Sequence, residues 1–257
     1  MPRIELHQIT DVGCVREINE DAVGHWPHDD GIVLAVADGL GGEEAGEVAS
    51  ALALDVLGRE LDRAPGSWNV AKRLRRTFQQ ANLEIYNKAV TVPELRGMGT
   101  TLTATALTGA TLVAAHVGDT RVYLKRDGKL TQLSKDHTWV AEQVQYGLLT
   151  TEQARTHGRR HVLTRCLGRE LIVGIDVLTL DLRPGDVILQ CSDGVHGYLR
   201  DEELGKLLDA TPEAACREMI QAGRERGGED NLSAQIARVV DCPAPAPTPR
   251  AWWRLGR

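Results

Sequence analysis

Aromatic side chains are scarce in this chain of 257 residues: ten in all, with a single phenylalanine, Phe78. Long apolar runs are missing too. The longest, Ile32 to Ala37, has six residues, far short of the ~18 that suggest a membrane span. The five cysteines (Cys14, Cys166, Cys191, Cys216, Cys242) are an odd number, widely spaced, with no Cys-x-x-Cys. That excludes a disulfide framework and a structural zinc site and makes a reduced cytosolic compartment the default. Basic residues do not outnumber acidic ones. Thirty against thirty-six leave a net charge of −6, the wrong sign for a broad nucleic-acid footprint. No internal repeat is visible, and MPRIELHQIT lacks the apolar stretch of a signal peptide.

What is present is an ordinary globular balance, 42% apolar and 26% charged, at the upper end of single-domain size. Short β-rich segments are read at Gly31–Ala37, Thr101–Leu107, Thr111–Val117, Arg121–Lys125, Asp186–Cys191 and Ser233–Val239. The second, third and fourth, separated by turn residues, predict an antiparallel meander. Apolar residues at 3–4 spacing predict long helices over Glu43–Leu61 and Val70–Val90. Shorter helices are expected at Trp139–Tyr146, Thr151–Thr156, Glu202–Leu208 and Pro212–Arg226, with a capping box at Thr150-x-x-Gln153. Locally paired strands with helices in separate blocks indicate an α+β domain. It should end near residue 240. The Pro-rich stretch Cys242–Pro249 and the tail Arg250–Arg257 follow, where Trp252 and Trp253 among arginines would suit docking on a partner or a membrane surface.

The informative pattern is where aspartates fall. Asp38 follows an apolar strand and precedes Gly39-Leu40-Gly41-Gly42. Asp193 follows a strand and precedes Gly194. Asp119 lies in the turn Gly118-Asp119-Thr120, and Asp230-Asn231 precedes the last strand. Glycine lets backbone come close to a ligand. If these strand ends converge, several carboxylates share one cleft, and like charges so close need compensation. With only oxygen ligands at hand, the compensating ion is Mg²⁺ or Mn²⁺ rather than Zn²⁺. A second cluster, Arg16-Glu17-Ile18-Asn19-Glu20-Asp21, adds a guanidinium able to clamp a phosphate bidentately.

Taken in order, these segments resemble the metal-dependent serine/threonine phosphatases of the protein phosphatase 2C family in its compact bacterial form. The matching motifs are Arg16–Asp21, Ala37–Gly42, Gly99-Thr100-Thr101, His116–Arg121, Asp136-His137, His161–Gly168, Cys191–Gly194 and Asp230-Asn231. The resemblance implies a four-layer α-β-β-α sandwich: two antiparallel sheets flanked by helices, with a small flap subdomain at about 138–160 on a catalytic domain of residues 1–240. It also implies roles. Asp38 would bridge two metals and the Gly39 carbonyl would ligate one, with Asp193 and Asp230 on the other. Glu20 and Asp21 would act through metal-bound water. Asp119 with Asp193 would form a weaker third metal position, and Arg16 would bind phosphate. From the flap, His157 and Arg159-Arg160-His161 would meet an anionic substrate.

The expected activity is hydrolysis of phosphoserine and phosphothreonine in proteins by a water activated between two Mn²⁺ or Mg²⁺ ions, reversing a bacterial Ser/Thr kinase. No cysteine or serine nucleophile is needed, and Cys191 and Ser192 are read as packing. Leu40 stands where eukaryotic relatives carry a histidine. The leaving-group proton would then come from metal-bound water, with His137 as the side-chain alternative. The expected protein is a cytoplasmic monomer. Rival readings are a catalytically weak member acting as a phosphoprotein-binding or regulatory module, a phosphoesterase for small metabolites, and a structural protein whose aspartates are turns.

Overall fold

The computed structural model describes residues 1–28, 31–41 and 45–244. Gly42 to Glu44 and the Trp252-Trp253 tail, with the docking expected of it, lie outside the described residues. Strands β1 (Arg3–Asp11), β2 (Asp21–His28) and β3 (Gly31–Leu40) come first, then helices α1 (Ala45–Arg63) and α2 (Val70–Thr91). The short β4 (Gly99–Thr100) leads into β5 (Leu102–Thr108), β6 (Thr111–Val117), β7 (Arg121–Arg126) and β8 (Lys129–Gln132). Helices α3 (Trp139–Gln145) and α4 (Thr151–Thr156) are followed by β9 (Asp176–Asp181), β10 (Val187–Cys191), α5 (Asp193–His196), α6 (Asp201–Leu207), α7 (Pro212–Glu225) and β11 (Leu232–Asp241).

The strands form two antiparallel sheets. One runs β1-β11-β10-β7-β8, the other β2-β3-β5-β6-β9, with β4 paired to the end of β3. Alternation along each strand divides its side chains between two cores. In β3, Val33, Ala35 and Ala37 face α1 and α2, packing with Leu57, Leu74, Phe78 and Ile85. Leu34 points the other way and meets Leu107, Leu112, Val122, Ile188 and Val239 between the sheets. A third core joins Leu189, Cys191, Ala234 and Ile236 to Leu204, Met219 and Ile220 of α6 and α7. The result is the expected α-β-β-α stack. Burying Phe78 completely contributes about 1.5–3 kcal/mol.

Helix ends follow the residues written there. Asn69 accepts the Lys72 N–H at 2.8 Å to start α2. Thr150 and Gln153 form the capping box of α4. Among the described residues no helix is long and apolar enough to cross a membrane.

Two expectations are corrected. The meander is only a hairpin: β5 pairs β6, but β7 pairs β8 and β10 in the other sheet. The Gly118-Asp119-Thr120 turn is therefore the passage from one sheet to the other. Asp38 does not follow its strand but lies within β3, which continues to Leu40 because Gly39 and Leu40 pair with Thr100 and Gly99.

Candidate active site

Both sheets contribute to one end of the sandwich. Asp38 sits opposite Asp21 in the β2–β3 register. Its backbone is fixed on both sides: its N–H donates to Thr101 Oγ1 at 2.9 Å, and its carbonyl accepts from the Thr101 N–H at 2.8 Å and from Thr100 Oγ1 at 2.9 Å. That explains the Gly99-Thr100-Thr101 motif. Gly39 donates to the Glu20 carbonyl at 3.0 Å, and a Cβ there would collide with the Gly46 carbonyl. Asp193 opens α5 directly beyond β10. Asn231 organises the N-terminal loop: its Oδ1 accepts the Glu20 N–H, and its Nδ2 donates to the carbonyls of Val12 and Ile18.

These elements border a cleft of about 490 Å³ lined by Arg16, Glu20, Asp38, Gly39, Asp119, Asp193 and Asp230, with Glu229, Arg160, His161 and Tyr198 also at its wall. Arg16 bonds Asp230 at 3.0 Å and Glu20 at 3.5 Å. His161 Nδ1 lies 3.2 Å from Asp193 Oδ2. Among the described residues no three His, Cys, Asp or Glu side chains are drawn tightly enough to close on one ion; the carboxylates are gathered around the cleft, with Arg16 and His161 engaged by three of them.

The electrostatics express that crowding. Burial, aided by Asp193 and Asp230, pushes Asp21 up to about 7 against the hydrogen bonds of Ser233 and Ser192. Asp38 and Asp119 are held well above the usual carboxylate range, first by burial and then by neighbouring aspartates. Burial and Asp193 raise Asp230, while burial raises Glu20; Arg16 opposes both shifts. Burial would raise Asp193 as well, but the His161 hydrogen bond and the nearby His196 and Arg16 hold it below its ordinary value. A donor set of hard oxygens with excess negative charge fits a hard divalent cation.

The structure thus brings Arg16, Glu20, Asp38, Gly39, Asp119, Asp193 and Asp230 to one place. Asp21 lies beneath, buried, accepting from Ser192 Oγ at 2.7 Å. Ser192, read as mere packing, is the link between Asp21 and the Ser233 N–H. Cys191 is fully buried, with its thiol pushed up by burial. His157 is the exception. Its ring packs on Trp139 at 5.1 Å rather than lining the cleft, and His161 stands there instead. His137 is excluded as a proton donor: it is buried, its Nδ1 accepts the Gly118 N–H, and it faces Asp176 rather than the cleft. Sequence reasoning missed Glu229, one residue before Asp230, although the pair Gly227-Gly228 directly before it was a signal that could have drawn attention to it.

The fold agrees with that of the proteins to which the chain is similar. The model of the family Protein phosphatase 2C matches residues 15–240. The chain belongs to the protein phosphatase 2C family. It is 40% identical over 236 residues to the serine/threonine protein phosphatase PstP of Mycobacterium tuberculosis, covering 90% of this chain but 44% of that protein. The chain therefore spans less than half the length of that relative. With the serine/threonine phosphatase stp of Listeria monocytogenes it shares 35% identity, covering 88% of this chain and 92% of the other. Among solved structures, the PstP catalytic domain in complex with two manganese ions superposes with a TM-score of 0.83 at 35% identity, covering 93% of this chain and 99% of that one. Staphylococcus aureus Stp1 gives a TM-score of 0.87 at 30% identity, covering 92% and 95%. In this phosphatase 2C member Asp38, Asp119, Asp193 and Asp230 line one cleft.

Proposed function

We propose that the chain is a divalent-cation-dependent protein serine/threonine phosphatase that hydrolyses phosphoserine and phosphothreonine monoesters. The observation that carries this is the convergence of Asp38, Asp119, Asp193 and Asp230 with Arg16 around one open cleft. Asp38 and the Gly39 carbonyl would hold one cation and Asp193 with Asp230 a second, while Glu20 and Asp21 act through water. Asp119 with Asp193 would form a weaker third position. Bound cations supply positive charge for the phosphoryl oxygens and lower the pKa of a water.

The chain's own residues do the rest. Arg16, engaged by Asp230 and Glu20, becomes free to take phosphate oxygens bidentately once those carboxylates have another counter-charge. Thr100 and Thr101 keep Asp38 in place, so little reorganisation is needed during reaction. Leu40, at the cleft wall, brings no proton. The open wall and the α3–α4 segment, within the flap at about 138–160, suit a phosphorylated chain. The counterpart would be a Ser/Thr kinase, and the protein a cytoplasmic monomer with Mn²⁺ or Mg²⁺.

The deciding experiment is hydrolysis of a phosphothreonine peptide by chelator-stripped protein titrated with Mn²⁺, beside Asp193→Ala and a sugar phosphate as competing substrate. Activity that appears with Mn²⁺, prefers the peptide and collapses in the variant supports the proposal. Folded protein inactive with every divalent cation would leave a phosphoprotein-binding module.

A further inference from the structure

His137 touches neither the cleft nor any cleft-lining carboxylate, yet it makes an unusual set of bonds. Its Nδ1 accepts the Gly118 N–H at 3.0 Å, and its own N–H donates to the Gly118 carbonyl at 2.7 Å. Gly118, the residue before Asp119, has φ +113°, and a Cβ there would lie 2.5 Å from Thr101 Cβ. The peptide leading into Asp119 is thus held from two sides in a conformation that side-chain-bearing residues rarely adopt. Because Nδ1 accepts, the ring proton is on Nε2, which lies 3.3 Å from both Asp176 Oδ2 and Arg165 Nη1, and Arg165 Nη1 also donates to Asp176 Oδ1 at 3.1 Å.

The same residue stands where the flap joins the domain. Its carbonyl accepts the Thr164 N–H at 2.8 Å, its neighbour Thr138 bridges to Leu163, and the Trp139 N–H donates to the Val162 carbonyl. The outgoing and returning ends of the 138–160 segment therefore meet at His137. On the far side of Asp119 a parallel brace exists. Thr120 Oγ1 lies 2.6 Å from Thr103 Oγ1, and that hydroxyl reaches His116 Nδ1 at 2.8 Å. The His116 Nε2–H donates to the Lys135 carbonyl, and its ring packs against His137 at 4.9 Å.

We propose that His137 is a positioning residue that fixes Asp119 for cation binding and ties that carboxylate to both ends of the flap. The inference rests on the proposed cation-dependent phosphatase reading and adds a residue to it. Support around a ligand typically matters 10–100-fold for metal affinity or activity.

The test exploits two amides. In His137→Asn the amide oxygen can occupy the place of Nδ1 and accept the Gly118 N–H; in His137→Gln it reaches toward the place of Nε2. Full-length proteins are titrated with Mn²⁺, counting bound ion by electron paramagnetic resonance of the free ion, and peptide hydrolysis is measured over the same range. Asn is expected to keep the wild-type binding isotherm. Gln is expected to shift the weakest bound Mn²⁺ and the half-activating concentration by about 10-fold or more, with KM for the peptide at saturating Mn²⁺ unchanged. Asp176→Ala, at a half-exposed residue, should move both in the same direction, and decides the matter if Gln does not fold. Equal isotherms for wild type, Gln and Asp176→Ala would overturn the proposal, as would equal damage from Asn and Gln, the mark of a histidine that only fills space. If the wild type binds Mn²⁺ but hydrolyses no peptide, the phosphatase reading fails and the isotherms alone judge His137.

Discussion

Asp21 on β2 and Asp38 on β3 face each other directly across one antiparallel ladder. Like charges in opposed positions destabilise a strand pair, and here burial raises the proton affinity of both. The pair is a local fault in the sheet unless positive charge is brought to it. Asp119 and Asp230, outside the ladder, are likewise raised, first by burial and then by Asp193.

Cation binding should accordingly stabilise the fold. A ligand present at about 100 times its dissociation constant adds about 2.7 kcal/mol, which for a domain of this size is a rise of roughly 5–10 °C in midpoint. Thermal melts of chelated protein with and without Mn²⁺ measure it. Asp38→Asn should flatten the response, and an unchanged wild-type midpoint would count against the site.

Arg16→Lys replaces a planar fork by a point charge. The expected result in peptide kinetics is a KM raised about 10-fold, equivalent to about 1.4 kcal/mol, with kcat changed far less. A fall in kcat at constant KM would place Arg16 elsewhere in the reaction.

Arg121 and Asp136 form a largely buried fork at 2.6–3.1 Å, with side chains 18% and 14% exposed. Asp136→Ala leaves a guanidinium without its counter-charge and should cost about 3–5 kcal/mol in urea unfolding. The exposed pair Arg217–Glu213 is the control: Glu213→Ala should cost less than about 1 kcal/mol.

His116 is held neutral by burial, its pKa lowered to about 4 from 6.5. Between those values the unfolded chain binds the proton and the folded one does not. Stability contributed by this group is therefore complete above about pH 6.5 and is lost as pH falls toward 4, with a slope of at most about 1.4 kcal/mol per pH unit. Unfolding of His116→Gln over pH 4–7 should show a shallower acid limb than the wild type; an equal limb would refute the assignment.

Which elements could be read from the sequence follows from where they lie. The segments read as strands, β3, β5, β6, β7, β10 and β11, are all interior to their sheets, and β1, β8, β2 and β9, which were not, are the four edges. The interior strands are buried along nearly their whole length and are written in apolar and β-branched residues. An edge strand such as Asp21–His28, with Gly24 and Pro27 in it, is not. The helices were legible because α1 and α2 each bury one stripe. In the site, the aspartates flanked by glycine were legible, since their glycines record close backbone contacts such as Gly39 against Gly46. His157 was misplaced because charge alone does not say which way a loop side chain turns, and here Trp139 captured the ring.

The pairing of β1 with β11 joins residues 3–11 to residues 232–241. During synthesis β1 is made long before β11, and until β11 emerges it stands without the one strand it pairs with among the described residues. Asp230 and Asn231 emerge with that closing strand, so the cleft acquires its final carboxylate and its loop anchor in the same event that completes the sheet. A nascent chain stalled short of residue 230 therefore lacks both the finished sandwich and part of the proposed cation site, so the proposed capacity to bind a cation would arise together with folding rather than before it.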